Sequence, residues 1–390
     1  MTKTIQEIVV SDSPTVLINT IAQQKIDAGI NVFNLSAGEP KLPPHPLIMQ
    51  GAADALTQGK TFYPPVSGMP ALKVLACEWM NSAYACQFEP ENCLVVNGGK
   101  LGIYLLLQLL LNQGDEVLIV SPYWVSYPTI TTLFGGVTKI IETSASNGWK
   151  LTPELLKKAC GLNTKILILN NGTNPTGALY STSELAALLK IAYDNDLLII
   201  SDEVYSGLSY DDSTYVSCGA FPEYQQRVVI IQSCSKNFSM TGWRVGFVFA
   251  PNNLIKALSA LISQSTSGVT TISQWAAISA LTHVNTINTW VKTNMQYRRN
   301  ILITALEASF AITINYPRSA LYVLMSLQDL GIKDITSTAF CELALTHANV
   351  ALVPGDAFGK QSFVRLSFGA SPSDLTLGVQ ALADFCKRTF

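Results

Sequence analysis

Charge and histidine are the two things this sequence has least of. Asp, Glu, Lys and Arg make up 13% of its 390 residues, and there are three histidines. The 25 basic and 27 acidic residues are mixed along the chain and leave a net charge of -2. No basic face is therefore set aside for a nucleic-acid backbone. His45, His283 and His347 are far apart and none stands in metal-ligand spacing, which argues against a dedicated zinc or iron site. The leucine-rich run 101–111 falls far short of the roughly 20 apolar residues that a membrane span requires. The opening MTKTIQEIVV lacks the basic start and apolar core of a secretory signal. Neither G-x-x-x-x-G-K-[ST] nor G-x-G-x-x-G occurs, which disfavours a nucleotide. The eight cysteines (Cys77, Cys86, Cys93, Cys160, Cys218, Cys234, Cys341 and Cys386) form no Cys-x-x-Cys pair and no regular framework. Free thiols in a reducing compartment fit them better than disulfides. The expectation is a cytoplasmic protein with no membrane, nucleic-acid or metal partner.

What is present is apolar: 48% of the residues are hydrophobic. That supports a large core and hints at a buried subunit interface. Repeats and low-complexity tracts are absent. Short β-branched runs at 94–96, 116–120, 139–142, 165–169, 197–201, 228–233 and 245–250 alternate with helical patterns such as 102–111, 153–159 and 183–193. Thr182-Ser183-Glu184-Leu185 reads as the cap of the last of these. Strands alternating with helices predict βαβ units, hence an α/β fold with a mainly parallel seven-stranded sheet between helices. After about residue 280 the pattern gives way to a long helix near 287–308 and an α+β tail ending at 364–368. The reading divides the chain into 1–41 and 291–390, which together build a smaller α+β domain, and a large domain over 42–290.

Candidate chemistry gathers where strands end. After Val228-Val229-Ile230-Ile231 comes Ser233-Cys234-Ser235-Lys236-Asn237, with Arg244 eight residues beyond the lysine. A lysine at the mouth of a sheet, among hydroxyls and near a second cation, loses its proton readily and becomes an amine nucleophile able to form a Schiff base. The strand 197–201 runs into Asp202, with Tyr205 three residues on. A buried carboxylate needs a cationic partner, and a protonated ring nitrogen would serve; capping of a following helix is the plainer alternative. Asn174-Pro175-Thr176-Gly177 is a turn by composition, and the Asn174 amide could donate to a phenolate and to a substrate carboxylate. Gly98-Gly99-Lys100 leads from a strand into a helix and could seat an anion on its backbone N–H groups. Trp124 follows another strand end, where an indole can stack on a flat aromatic group. Arg365 interrupts an apolar strand, and its guanidinium suits a carboxylate, either a substrate's or an internal one.

In this order the stretches resemble the class I/II pyridoxal-phosphate aminotransferases of fold type I. They are SAGEP (36–40), YPPVSGMPALK (63–73), NGGK (97–100), GDEVLIVSPYWVSYP (114–128), NGTNPTG (171–177), SDEVY (201–205), SCSKNFSMTGWRVG (233–246), SQST (263–266) and VRLSF (364–368). The resemblance implies pyridoxal 5'-phosphate as cofactor. It makes Lys236 the Schiff-base lysine and the proton shuttle. It pairs Asp202 with the pyridine nitrogen, sets Tyr205 and Asn174 at the phenolate, and stacks Trp124 on the ring. The phosphate falls to the backbone at Gly99 and Lys100, to Ser233, Ser235 and Arg244, and to Tyr63 reaching from a partner subunit. Arg365, with Asn174 and the Gly38 backbone, would clamp the substrate α-carboxylate. A homodimer with shared sites is the implied unit.

The YWVSYP and SQST stretches resemble the bacterial aspartate-specific branch, in which the NGGK lysine, here Lys100, meets the side-chain carboxylate. The implied reaction moves an amino group between L-aspartate and 2-oxoglutarate by a ping-pong route. Alternatives are an aminotransferase for aromatic or prephenate-like substrates, or a Cβ lyase on the same fold. Two stretches depart from the family pattern: Gly38-Glu39-Pro40-Lys41-Leu42 carries a lysine where an acid is usual, and Ser319-Ala320-Leu321-Tyr322 replaces the usual glycine and phenylalanine. Cys234 stands beside the lysine, where small residues are usual.

Overall fold

The computed structural model describes residues 14–390. The first thirteen residues of the expected segment 1–41 lie outside that range. Strands, in chain order, are β1 (Phe33–Asn34), β2 (Cys93–Val96), β3 (Glu116–Ser121), β4 (Val137–Glu142), β5 (Thr164–Asn170), β6 (Leu198–Asp202), β7 (Val228–Ser233), β8 (Gly246–Phe249), β9 (Tyr322–Ser326), β10 (Val350–Ala351), β11 (Val353–Pro354) and β12 (Phe363–Ser367).

Seven of these form one sheet in the order β2-β8-β7-β6-β5-β3-β4. β8 runs antiparallel to both of its neighbours, and the other pairings are parallel. The β-branched runs are continuous rather than alternating because both faces are covered. On β6 and β7, Ile199 and Ile230 face one core with Leu118, Leu167 and Leu169. Ile200, Val229 and Ile231 face the opposite core with Val117, Ile119, Ile166 and Ile168. That is the two-residue period of a strand serving two helical layers. The helix Thr182–Asp194 is capped one residue earlier than its sequence suggests. Ser181 accepts from the Glu184 N–H at 3.3 Å, and Glu184 accepts from the Ser181 N–H at 2.7 Å. Thr182 is thus the first helical residue, and the serine before it supplies the cap.

Beside this body β11, β12 and β9 make a small antiparallel sheet, and β1 pairs with β10. Its core contains Leu35, Leu302, Leu306, Tyr322, Val364, Leu366 and Phe385. The helix Val284–Phe310 belongs to both cores, with Ile287 in the large one and Val291, Met295 and Leu302 in the small one. Residue 290, the expected domain edge, falls inside this continuous helix. The carboxyl ends of β3, β5, β6 and β7 point to one edge, the usual ligand crevice of an open α/β sheet. β12 brings Arg365 to that crevice from the other side. No described helix is long and apolar enough to cross a membrane.

Candidate active site

A cavity of about 410 Å³ opens where these strand ends meet the small sheet. Gly38, Gly99, Lys100, Trp124, Asn174, Asp202, Tyr205, Ser233, Ser235, Lys236, Arg244 and Arg365 all line it. Tyr63 does not, and its side chain is 92% exposed on the surface of the single chain.

Lys236 rides on a single helical turn, Cys234–Asn237, set immediately after β7. Ser233 Oγ anchors that turn by accepting from the Ser235 N–H at 3.1 Å and donating to the Val245 carbonyl at 3.2 Å. The lysine Nζ donates to the Gly38 carbonyl. Burial brings its amine down to about 8; Glu39 opposes that shift, while Arg365 and Arg244 add to it. An amine so lowered is partly free base near neutral pH and can act as a nucleophile.

Asp202 closes β6 and is almost fully buried. No helix follows it, so capping does not explain it: residues 204–207 form a turn. Tyr127 donates to its Oδ2 at 2.6 Å, and the Val204 N–H reaches its Oδ1 at 3.4 Å. Burial lifts the carboxyl to about 6 in spite of both bonds. A buried acid with donors on both oxygens and no cation is a seat for a positive group. Asn170, at the end of β5, donates to the Asp202 carbonyl at 2.9 Å and accepts from the Asn174 N–H at 2.8 Å, tying the two strand ends together.

Arg365 is 3% exposed and forms no ion pair among the described residues, which disposes of the internal-partner alternative. Its Nη1 donates to Asn174 Oδ1 at 3.0 Å and its Nη2 to the Ser36 carbonyl at 2.8 Å. Nε is buried without a partner. The guanidinium lies between the rings of Tyr322, 4.1 Å away, and Phe358, 4.9 Å away. A desolvated cation held only by neutral acceptors calls for an anion.

The opposite end of the cavity is also built for an anion. Gly98 adopts φ +83°, and a Cβ there would stand 2.3 Å from Arg244 Nη2, so only glycine lets the guanidinium approach. Gly99 and Lys100 open the helix Gly99–Leu110 and present its free N–H groups. Ser233 and Ser235 add hydroxyls 2.9 Å apart. Lys100 extends over the Trp124 ring, 4.8 Å from its centroid. Burial, with Arg244 beside it, lowers the Lys100 amine. Taken together, a nucleophilic lysine, a buried acid awaiting a cation, and an anion cradle beside an indole fit pyridoxal phosphate.

Two side chains that sequence reasoning did not assign complete the site. Tyr127 holds Asp202, and Tyr322 bonds Tyr205 hydroxyl to hydroxyl at 2.7 Å. Tyr127 stands three residues after Trp124 within the SPYWVSYP stretch, and that proximity was the available signal. Tyr322 offered none beyond its place in the irregular Ser319–Tyr322 stretch.

Residues 30–382 match the family model "Aminotransferase class I and II". The aspartate aminotransferase of Geobacillus stearothermophilus is 37% identical over 376 residues, 96% of each chain. The aspartate/prephenate aminotransferase of Thermus thermophilus is 34% identical and covers 95% of both chains. A solved Thermus thermophilus aspartate aminotransferase with maleate superposes with a TM-score of 0.91 at 34% identity, over 96% of this chain and 97% of that one. The chain belongs to the class I and II aminotransferases, pyridoxal-phosphate enzymes of fold type I.

Proposed function

We propose that the protein transfers the amino group of L-aspartate to 2-oxoglutarate. The observation that carries this reading is one cavity with two separate cationic positions for substrate, Arg365 on the small sheet and Lys100 above Trp124. A dicarboxylate has one charge for each. The relatives' names agree with it.

Pyridoxal phosphate, when bound, supplies the electron sink that acidifies the substrate Cα–H. Lys236 would anchor it and, as a free amine, would take the Cα proton; burial that brings this amine down to about 8 suits a base near neutral pH. Asp202 keeps the ring nitrogen charged, with Tyr127 fixing the carboxylate. Tyr205 and Asn174 donate to the phenolate oxygen. Asn174 can do so because Arg365 occupies its Oδ1, leaving the amide N–H₂ for the cavity. The backbone N–H groups of Gly99 and Lys100, with Ser233, Ser235 and Arg244, would hold the phosphate, and Trp124 would supply the aromatic wall, which leaves the Lys100 amine for the substrate. Arg365, Asn174 and Gly38 seat the α-carboxylate.

The same proposal includes a cytoplasmic homodimer in which Tyr63 completes the partner's phosphate seat. The eight unpaired cysteines suit a reducing compartment, and Phe62 and Tyr63 are 84% and 92% exposed, as apolar interface residues would be in a separated subunit. It divides the chain into 1–41 with 291–390 and 42–290, as the separate cores suggest.

The test is the visible absorption of the pyridoxal-phosphate-loaded protein, read before and after L-aspartate and then L-phenylalanine. Bleaching by aspartate alone supports the dicarboxylate reading. Bleaching by phenylalanine alone discards it and favours aromatic or prephenate-like substrates. Release of pyruvate and ammonia from a cysteine-like substrate would mark a Cβ lyase instead.

A further inference from the structure

Tyr322 lies at the junction of three arms of the site. It opens β9, which pairs antiparallel with β12 so that Tyr322 faces Ser367 and Leu324 faces Arg365. Tyr322 and Arg365 are therefore diagonal neighbours on one face, a separation that an aromatic ring and a guanidinium bridge by stacking. The ring is 4.1 Å from the guanidinium. Its hydroxyl is 2.7 Å from that of Tyr205. A Cβ on Gly38 would stand 2.6 Å from the same oxygen, so Tyr322 also presses against the residue whose carbonyl receives Lys236. The side chain is fully buried.

A pair of phenols has two protons and only one hydrogen bond between its oxygens, so the direction of that bond decides which proton is free. If Tyr205 donates to Tyr322, it has nothing left for a cavity anion. The guanidinium lies over the face of the Tyr322 ring, and a cation there draws electron density from the phenol, which makes its hydroxyl the better hydrogen-bond donor of the pair. Nearby Tyr210 does not compete for it, since its hydroxyl is turned to the Ala320 carbonyl at 2.5 Å.

We propose that Tyr322 is a positioning residue: its hydroxyl donates to Tyr205 and frees the Tyr205 proton for the cofactor's phenolate oxygen, while its ring seats Arg365 for the substrate carboxylate. This rests on the cofactor reading above, in which Tyr205 faces that oxygen. A donor to the anionic oxygen stabilises the form that has lost its proton, so weakening the donor raises the pH midpoint of the loaded enzyme's visible band.

The experiment titrates that midpoint in the wild type, Tyr322→Phe, Tyr205→Phe and the double variant, each loaded with pyridoxal phosphate. Tyr205→Phe raises it most. Tyr322→Phe raises it by about half a pH unit, the scale of one neutral hydrogen bond acting through another. With Tyr205 already replaced, Tyr322→Phe moves it no further. Phenylalanine keeps the ring beneath Arg365, so KM for amino acids holds in Tyr322→Phe and rises about tenfold in Tyr322→Leu. An unmoved midpoint in Tyr322→Phe, or an equal rise in both backgrounds, overturns the proposal while leaving the cofactor reading standing. Failure of the wild type to form the band overturns both.

Discussion

Asp202→Asn should stabilise the cofactor-free protein at the same time as it damages the loaded one. Burial lifts the Asp202 carboxyl from its ordinary 3.8 to about 6. Between those values the folded protein holds a proton that the unfolded chain has released, so stability falls as pH rises through that window and is level above it. At 1.36 kcal/mol per unit, the charged carboxylate costs the fold about 3 kcal/mol at pH 8 and roughly half of that at pH 5. Asparagine carries no charge to desolvate and can still accept from Tyr127 through its oxygen, with its amide facing the Val204 N–H, whose 3.4 Å bond to Asp202 is the weaker of the two and costs about 1 kcal/mol to lose. Urea denaturation of both proteins without cofactor should therefore show the variant ahead by about 2 kcal/mol at pH 8, with the gap smaller by about 1.5 kcal/mol at pH 5. Saturating pyridoxal phosphate should reverse the order, because its ring cation pairs with the wild-type carboxylate alone. A cofactor-free variant no more stable than the wild type at pH 8 would refute the reasoning. The carboxylate would then be at ease in the empty protein, and its placement would say nothing about a cation.

Lys236→Ala should lose turnover by about 10⁴-fold or more while keeping the wild-type far-UV spectrum; full activity would remove the lysine from the chemistry. Lys100→Ala should cut kcat/KM for aspartate by about 10–100-fold, the range for a hydrogen bond to a charged group, and leave phenylalanine within about twofold. An equal loss on both substrates would make Lys100 a phosphate residue only. Tyr63→Phe should raise the Kd for pyridoxal phosphate about fivefold to tenfold if its hydroxyl reaches a partner's phosphate seat. An unchanged Kd would cancel that contact.

The strands of the large sheet could be read to within a residue or two because most are short apolar runs buried on both faces; the edge strand β4, half-exposed along its length, is the one whose start lies furthest from the expected bound. Only Val228–Ser233 was bounded without error, since a charged Arg227 precedes it and a polar turn follows. The direction of β8 was not readable: nothing in Gly246–Phe249 distinguishes an antiparallel neighbour from a parallel one. β1, β10 and β11 have two residues each, too few for any period to register. Ser181, Thr182 and Ser183 are equally good caps by residue type, and the reciprocal bond with Glu184 decides among them.

Within the site, legibility followed how local each residue's reason is. Lys236, Asp202, Asn174 and Gly99 stand at strand ends or helix starts, so the edge they reach follows from their own segment. Tyr127 meets Asp202 across 75 residues of sequence, and Tyr322 meets Tyr205 across 117. Each is an unremarkable aromatic in its own segment and acquires its role only through packing. Arg365 is the intermediate case. Its misfit in an apolar strand announced a buried cation, yet the absence of a carboxylate partner emerged only when β12 was set against Asn174, Ser36 and Tyr322. The residues proposed to do chemistry thus reach the cavity for reasons legible in their own stretches of sequence. Those that aim them were not, because aiming is a relation between distant segments that composition and spacing do not encode.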